Sequence, residues 1–292
     1  MNRRAKPFST AAEDASASIG HRRTTPQTAD PAYRLAFQDT DFLLREDLRP
    51  VRFQLELLKP ELLLKEAGVL STFVFYGSAR IPRVADAPAI VAGTTGPGKA
   101  VAERLAAKAR YCTEARKLAR IASEYGAATM NGHGRDFVVC SGGGPSIMEA
   151  ANHGAADVDA PSIGLNIVLP HEQAPNPHVT PGLSFNFHYF ALRKMHFLIR
   201  ARAVAVFPGG FGTFDEMFEL LTLIQTGKIK PLPLLLFGRE FWQRVVGWDA
   251  LVEEGVISAT DLDLITWVET AEEAWEHVRG WYAIGEEREV CA

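Results

Sequence analysis

Short apolar segments alternate with helical segments along most of the chain, and this alternation constrains the fold more than any other feature. The clearest apolar segments occupy residues 70–78, 136–144, 203–207 and 231–237. Each is short enough for a strand, ends near glycine, and precedes a stretch with helical spacing of its apolar residues. Strands that alternate with helices form a parallel sheet covered on both faces. We therefore predict an α/β protein with a doubly wound, mainly parallel sheet.

The beginning of the chain differs from this pattern. Residues 1–34 are rich in Ala, Ser, Thr and Arg, so they cannot bury enough apolar surface to offset the entropy lost on ordering, and we predict a disordered tail. The next segment has helical spacing interrupted by Pro50 and Pro60, which favours two or three short helices. The predicted organisation is a tail, an N-terminal helical extension, one folded domain and a terminal tail, over residues 1–34, 35–68, 69–285 and 286–292.

Composition narrows the class of ligand and the compartment. The formal net charge is -4, from 31 basic and 35 acidic residues, so the chain as a whole does not attract nucleic acid or an anionic membrane. No apolar run reaches the roughly 18 residues of a membrane-spanning helix. The chain has 3 cysteines without paired metal spacing, which is typical of a reducing compartment. We expect a cytoplasmic protein that binds a small molecule.

Two glycine-rich segments, SGGGPS (141–146) and PGGFGT (208–213), connect a predicted strand to a predicted helix. Free backbone N–H groups at a helix N-terminus attract anions, and glycine lets an anion approach the backbone closely. The same glycines would also serve a tight turn without a ligand. Two such segments, with YGS (76–78) after the first strand, favour a phosphorylated ligand.

Two familiar nucleotide motifs are incomplete in this chain. Neither glycine segment fits the dinucleotide pattern G-x-G-x-x-G, because Ile147 and Asp215 stand where the last glycine is required. GTTGPGKA (93–100) matches the beginning of a P-loop, but Ala100 replaces the hydroxyl residue that would hold magnesium. NAD binding is disfavoured, and a P-loop NTPase remains an alternative with little support.

A carboxylate, Glu216, lies just after the second glycine segment. Thr213 and Glu216 form a T-x-x-E capping box, in which the glutamate would simply bond back to the helix N-terminus. Beside a phosphate, however, a carboxylate would repel the ligand unless it faces a part of it that becomes positive. A sugar undergoing glycosidic cleavage develops such a charge.

Four segments occur in the order of one known family: VFYGSAR, SGGGPSIMEAAN, LRKMHF and PGGFGTFDE. Over about residues 70–285 the chain resembles the Lonely Guy (LOG) family of nucleoside 5'-monophosphate phosphoribohydrolases, which are often labelled lysine decarboxylases. The resemblance implies a Rossmann-like sheet, a homodimer or larger assembly, and hydrolysis of AMP or a cytokinin riboside 5'-monophosphate to free base and ribose 5-phosphate. No pyridoxal-binding lysine is marked, so the decarboxylase label does not fit.

The resemblance also assigns roles to individual residues. Arg193 and Glu216 match the family's catalytic pair. The implied substrate contacts are the phosphate loop, two other glycines, one serine and the lysine beside Arg193, namely Gly209, Gly210, Gly212, Thr213, Gly143, Gly144, Ser78 and Lys194. No metal or cofactor is implied.

The chain also departs from the shorter members of the family. It has about 70 residues before the first strand, an insertion near residues 81–98, and Glu149 where short members have glycine. These departures leave the base preference open. The second functional alternative is a nucleotide-binding carrier or sensor that kept the fold and lost catalysis. The presence of both Arg193 and Glu216 argues against it.

Overall fold

The computed structural model describes residues 8–20, 24–130, 134–170 and 174–284. The chain divides into two compact units, Met1–Glu56 and Leu57–Ala292. The predicted terminal tail at 286–292 lies outside the described residues, as do the first seven residues. The division at residues 34, 68 and 285 stays a prediction.

The first unit is made of short helices joined by 3-10 turns. Its helices are α1 (Ala11–Gly20), α2 (Pro26–Ala29), α3 (Thr40–Leu43) and the beginning of α4 (Arg49–Glu66). Where the sequence predicts a tail, the structure has α1 and α2, and the Thr25 side chain caps α2 by accepting from the Thr28 N–H at 3.2 Å.

Helix α4 is longer than the short helices predicted for this segment. Pro50 lies in its first turn, where a missing N–H costs nothing. Pro60 lies inside the helix and is buried together with Leu64. The packing of this face therefore offsets the hydrogen bond that a proline removes from a helix interior.

The second unit contains a seven-stranded, all-parallel sheet with strand order β4-β3-β2-β1-β5-β6-β7. Its strands are β1 (Thr72–Tyr76), β2 (Val138–Ser141), β3 (Ser162–Ile167), β4 (Ser184–Phe187), β5 (Ala201–Val206), β6 (Leu234–Phe237) and β7 (Thr266–Val268). The predicted α/β class with a doubly wound, Rossmann-like parallel sheet is confirmed.

Nine further helices belong to the described part of this unit. They are α5 (Ala87–Gly93), α6 (Lys99–Ala106), α7 (Arg110–Ala128), α8 (Ile147–Ala156), α9 (Phe190–Ile199), α10 (Phe211–Gln225), α11 (Arg239–Val245), α12 (Trp248–Glu253) and α13 (Ala271–Trp281). Helix α13 is capped as its sequence suggests, because the Thr270 hydroxyl accepts from the Glu273 N–H.

The strand order reverses between β1 and β5, which are adjacent in the sheet but distant in sequence. Tyr76 pairs with Val206 at the carboxyl ends of these strands. The chain segments that follow remain side by side, since the Ser78 N–H donates to the Pro208 carbonyl at 3.1 Å. Ligands of doubly wound sheets bind at such a switch point. The topology therefore brings YGS and PGGFGT together at one position.

Aromatic side chains of the central strands fill one face of the sheet. Phe207 stacks on Phe237 with 4.2 Å between ring centroids, and Phe75 stacks on Phe207 at 6.3 Å. All three are fully buried. Burying side chains of this size contributes about 1.5–3 kcal/mol each, which fixes the strand ends that carry the site.

Residues 99–125 contain no Gly or Pro and are followed by Gly126, a pattern that predicts one long helix with this glycine as its C-cap. The structure instead has two helices, α6 and α7, joined by a turn at 107–109. Gly126 is not the predicted C-cap, because α7 continues to Ala128. A Cβ on Gly126 would collide with the Asp136 carbonyl. The glycine is needed for a close approach of chains, which sequence alone does not distinguish from a helix end.

GTTGPGKA lies between two helices. Helix α5 ends at Gly93 and α6 begins at Lys99, with a 3-10 turn over Gly96–Gly98. A P-loop instead follows a strand. The segment lacks the structural context of an NTPase.

Candidate active site

A cleft of about 830 Å³ opens at the switch point between β1 and β5. Ser78 and Arg80 line it after β1, and the first two turns of α10 line it after β5. Its apolar wall is formed by Met148, Ile167, Leu169 and Phe190. An apolar cleft with a few convergent polar groups is the usual form of a small-molecule site.

Arg193 and Glu216 meet in this cleft. Arg193 Nη1 donates to Glu216 Oε1 at 3.1 Å, although the residues come from two helices, α9 and α10. Their side chains are only 12% and 13% exposed. The two residues that the sequence marks as a pair are therefore in contact and largely shielded from water.

Two further contacts hold the Arg193 side chain in place. Its Nε donates to the Leu165 carbonyl at 2.7 Å, and its guanidinium lies 5.0 Å from the centroid of the Phe197 ring. Gly142 leaves room for it, because a Cβ there would lie 2.7 Å from Arg193 Nη2. A guanidinium fixed at several of its donors is pre-organised, so it holds Glu216 in one orientation.

The cleft changes the acidity of Glu216. Burial raises the pKa of this carboxyl group to about 7, and the neighbouring Arg193 opposes that rise by favouring the charged form. Burial, followed by the charge of Glu216, also raises the pKa of Tyr76 well above its usual value. A carboxyl group with a pKa near neutrality can both give and take a proton at working pH.

The first turn of α10 is open toward the cleft. Gly210 is the N-cap, and no side chain of the described residues caps this helix. The first N–H groups of a helix have no intrahelical partner, and the helix dipole makes this end positive. Cβ atoms built on Gly210 and Gly212 would meet nothing within 4 Å. The arrangement is suited to an anion.

The capping-box interpretation of Glu216 is wrong. Thr213 lies inside α10 and is buried, packed so closely beneath Gly209 that a Cβ on this glycine would collide with it. The Glu216 carboxylate bonds to Arg193 instead. Gly209 itself lines a neighbouring cavity rather than this cleft.

The backbone of SGGGPS forms hydrogen bonds with other groups of the protein. The Asn176 N–H donates to the Gly143 carbonyl at 2.8 Å, and the Asn176 side chain donates to the carbonyls of Gly143 and Gly144, each at 3.1 Å. The Gly143 N–H donates to Ser141 Oγ at 3.0 Å. Met148 is the residue of this region that lines the cleft. Substrate contact by Gly143 and Gly144 stays a prediction.

Lys194 is engaged outside the cleft lining. Its Nζ lies 3.1 Å from Asp215 Oδ1 and 3.2 Å from Glu219 Oε2, both on α10. These ion pairs join α9 to α10 beside the Arg193–Glu216 contact. They favour a positioning role over the substrate contact that the resemblance implies, which stays a prediction.

Arg80 and Phe211 are among the cleft residues that sequence reasoning missed. Arg80 lines the cleft, and its position just after YGS was the available signal. Phe211 also lines it and is 96% exposed, although it stands between two glycines of the anion-binding segment.

Glu149 does not line this cleft. Its Oε1 accepts from Arg83 Nη2 at 2.5 Å, and both residues line a separate cavity. Arg83 belongs to the insertion near residues 81–98. The two departures from the shorter family members are thus bonded to each other, away from the candidate site.

Three other kinds of feature bear on function in the described residues, namely metal-ligand groups, membrane-spanning helices and cysteine thiols. Across residues 8–20, 24–130, 134–170 and 174–284, no three His, Cys, Asp or Glu side chains are grouped as metal ligands. Within the same ranges, no helix is both long and apolar enough to cross a membrane. Cys112 and Cys140 are buried free thiols.

Comparison with known proteins agrees with the motifs. A family profile described as possible lysine decarboxylase matches residues 148–278. The chain is 35% identical over 82 residues to the cytokinin riboside 5'-monophosphate phosphoribohydrolase LOG3 of Arabidopsis thaliana. This match covers 28% of the chain and 38% of the length of the relative.

Solved structures show more distant likeness. A structural-genomics target is 18% identical with a TM-score of 0.45, covering 72% of this chain and 99% of its own. A molybdenum cofactor binding protein from Rippkaea orientalis is 15% identical with a TM-score of 0.43, covering 73% and 98%. The Moco carrier protein from Chlamydomonas reinhardtii is 16% identical with a TM-score of 0.42, covering 73% and 98%. Likeness at this level says nothing about function.

The family profile covers LRKMHF and PGGFGTFDE, two of the four motifs. The profile includes Arg193 and Glu216, which the structure brings into contact. Over residues 148–278 the chain is similar to the family described as possible lysine decarboxylase, in agreement with its resemblance to the Lonely Guy family.

Proposed function

We propose that this protein hydrolyses the N-glycosidic bond of nucleoside 5'-monophosphates, releasing the free base and ribose 5-phosphate. The observation that carries the proposal is the buried Arg193–Glu216 contact, which lies in the same cleft as the open first turn of α10. A nucleotide needs both an anion site and a group that stabilises positive charge on its sugar.

The cleft offers a place for each part of such a substrate. The 5'-phosphate binds the free N–H groups at the start of α10, near Gly210 and Gly212. Glu216 lies one turn further along the same helix and faces the ribose. The base packs against the apolar wall that includes Met148 and Phe190.

The chemistry follows from this placement. As the bond between C1' and the base nitrogen breaks, positive charge develops on C1' and the ring oxygen, and the fixed Glu216 carboxylate stabilises it. Water adds to C1' and gives up a proton, which Glu216 accepts and the departing base takes up. A carboxyl group with a pKa of about 7 is suited to this exchange. Arg193 favours the ionised form of this carboxyl group and orients it.

The preferred substrates belong to the same proposal. The name of the Arabidopsis relative specifies cytokinin riboside 5'-monophosphate, so we propose that compound and AMP as the first candidates. The proposal includes a homodimer and a cytoplasmic location.

A panel of nucleoside monophosphates tests the activity directly. We expect the purified protein to release free base and ribose 5-phosphate in equal amounts, measured by chromatography. If no nucleotide is consumed but one raises the melting temperature, the protein is a carrier or sensor. Release of inorganic phosphate from triphosphates alone would contradict both interpretations.

A further inference from the structure

A second cavity, of about 370 Å³, adjoins the candidate active site. Ser78, Arg80, Gly210 and Val245 line both the cavity and the cleft. Gly210 is the N-cap of α10, so the cavity begins at the point where the first phosphate is proposed to bind. An extended ligand could pass from one space into the other.

Four cationic side chains line this second cavity: Arg80, Arg104, Lys108 and Arg244. They come from three parts of the chain, namely the segment after β1, the α6 region and α11. The described residues provide no carboxylate in an ion pair with any of them. Glu240 is the carboxylate near enough to influence Lys108. The wall is therefore strongly positive, although the whole chain is acidic.

Lys108 is held in this wall rather than free in solvent. Its Nζ donates to the Arg104 carbonyl at 2.8 Å and lies 5.7 Å from the centroid of the Phe241 ring. Burial lowers the pKa of Lys108, and the charges of Arg104 and Arg244 lower it further. Three cations thus lie close enough to repel one another, which costs free energy until an anion arrives.

We propose that this cavity, which we call the basic cavity, binds a second phosphate group of a nucleotide whose first phosphate lies at the start of α10. The ligand class is the nucleoside 5'-diphosphates and other nucleotides that carry a pyrophosphate on the 5' carbon. The inference goes beyond the proposed function, whose substrates are monophosphates, and rests on it for the position of the first phosphate.

The residues shared by the two spaces favour a second phosphate of the same ligand over a separate anion. Gly210 and Arg80 belong to both spaces, so they would contact both phosphates of one ligand. Arg104, Lys108 and Arg244 lie only on the far side, where a monophosphate would not reach. These three side chains should therefore distinguish diphosphates from monophosphates.

Calorimetric titration of the E216Q variant with ADP and AMP tests the proposal without interference from turnover. We expect ADP to bind at least about tenfold more tightly than AMP, since charge-assisted hydrogen bonds are worth that much or more. In an R104Q/R244Q double variant on the same background, the ADP-to-AMP affinity ratio should fall by at least about tenfold. An R120Q control removes a charge from α7 outside both spaces and should leave the ratio unchanged.

Three outcomes would overturn the proposal. The first is that ADP binds no more tightly than AMP. The second is an equal fall in the affinities for both nucleotides in the double variant, which would indicate a general attraction. Inorganic phosphate could bind together with AMP while ADP gains nothing, which would indicate a separate anion site. The activity assay is independent of these: absence of base release from AMP would refute the proposed function and leave the binding result standing.

Discussion

The two glycine-rich loops of this protein have similar sequences and follow β2 and β5, the strands on either side of β1, yet the structure uses them differently. In SGGGPS, the Asn176 side chain donates hydrogen bonds to the carbonyls of Gly143 and Gly144. The backbone has positive φ at Gly143 and Ser146. In PGGFGT, the space beside Gly210 and Gly212 is open. We call them the closed loop and the open loop.

The difference teaches what a glycine-rich turn can provide. The closed loop supplies room for other protein groups, since Gly142 accommodates Arg193 and Met148. The open loop leaves its backbone N–H groups to a ligand. The closed loop therefore positions protein groups around the site, and the open loop is the one that binds the anion. Both functions require the absence of a Cβ, so composition alone does not separate them.

The largest expected effect concerns Glu216, the carboxylate that the open loop's helix places in the cleft. We expect Glu216→Gln to lower kcat by about 10² to 10⁴-fold while the fold is retained, because the charge that stabilises the sugar is lost. Asp215→Asn is the matched control, since Asp215 pairs with Lys194 outside the cleft. Base release measured for both variants checks this, and a loss within a few fold for Glu216→Gln would exclude its role.

The next effect tests the closed loop. In Gly142→Ala the new methyl group would lie 2.7 Å from Arg193 Nη2 and 2.8 Å from Met148 Sδ. Both are ends of flexible side chains, so the protein should fold while Arg193 moves off Glu216. Since misplacing a catalytic group costs on the order of 10²-fold in rate, we expect a loss of that size in kcat. Unchanged kinetics would show that the closed loop does not position Arg193.

The pH dependence of stability tests the burial of Glu216. Its pKa is raised from 4.5 to about 7, so between these values the folded state keeps a proton that the unfolded chain has lost. Stability from this group therefore decreases as pH rises through that window, by at most about 3 kcal/mol. Urea unfolding measures the free energy of unfolding of both proteins at about pH 4 and pH 8. We expect the stability of Glu216→Gln relative to the wild type to be higher at pH 8 than at pH 4. Parallel curves would contradict the shift.

Gly143→Ala examines the strain in the closed loop. Gly143 has φ +72°, and a Cβ there would lie 2.5 Å from Asn166 Oδ1. We expect a loss of about 1–3 kcal/mol in the free energy of unfolding, because both the backbone conformation and the contact are unfavourable for alanine. Denaturant unfolding measures it, and wild-type stability would show that the loop relaxes.

Gly212→Ala is the corresponding change in the open loop and should have the smallest effect on the fold. Its Cβ meets nothing within 4 Å, and alanine stabilises a helix relative to glycine by about 0.5–1 kcal/mol. We expect equal or higher stability but a several-fold higher KM, because the methyl group occupies space needed by the phosphate. A variant with unchanged KM would contradict phosphate binding at this turn.

Much of the site could be predicted from local pattern. Glycines between an apolar run and a helix mark the start of α10, and Glu216 follows at a fixed distance along that helix. The meeting of Arg104, Lys108 and Arg244 with Arg80 could not be predicted, because these residues converge from separate parts of the chain. The break between α6 and α7 was also missed, since no glycine or proline marks it.

By itself, the sequence determined the alternating strands and helices, the glycine turns and the identity of the Arg193 and Glu216 pair. These follow from periodicity, backbone freedom and motif, all of which act over a few residues. Only the tertiary structure decided that Glu216 bonds to Arg193 rather than capping its own helix, and that one loop is closed while the other is open. Those outcomes depend on which distant groups fill the space around each backbone, and that is settled when the sheet assembles.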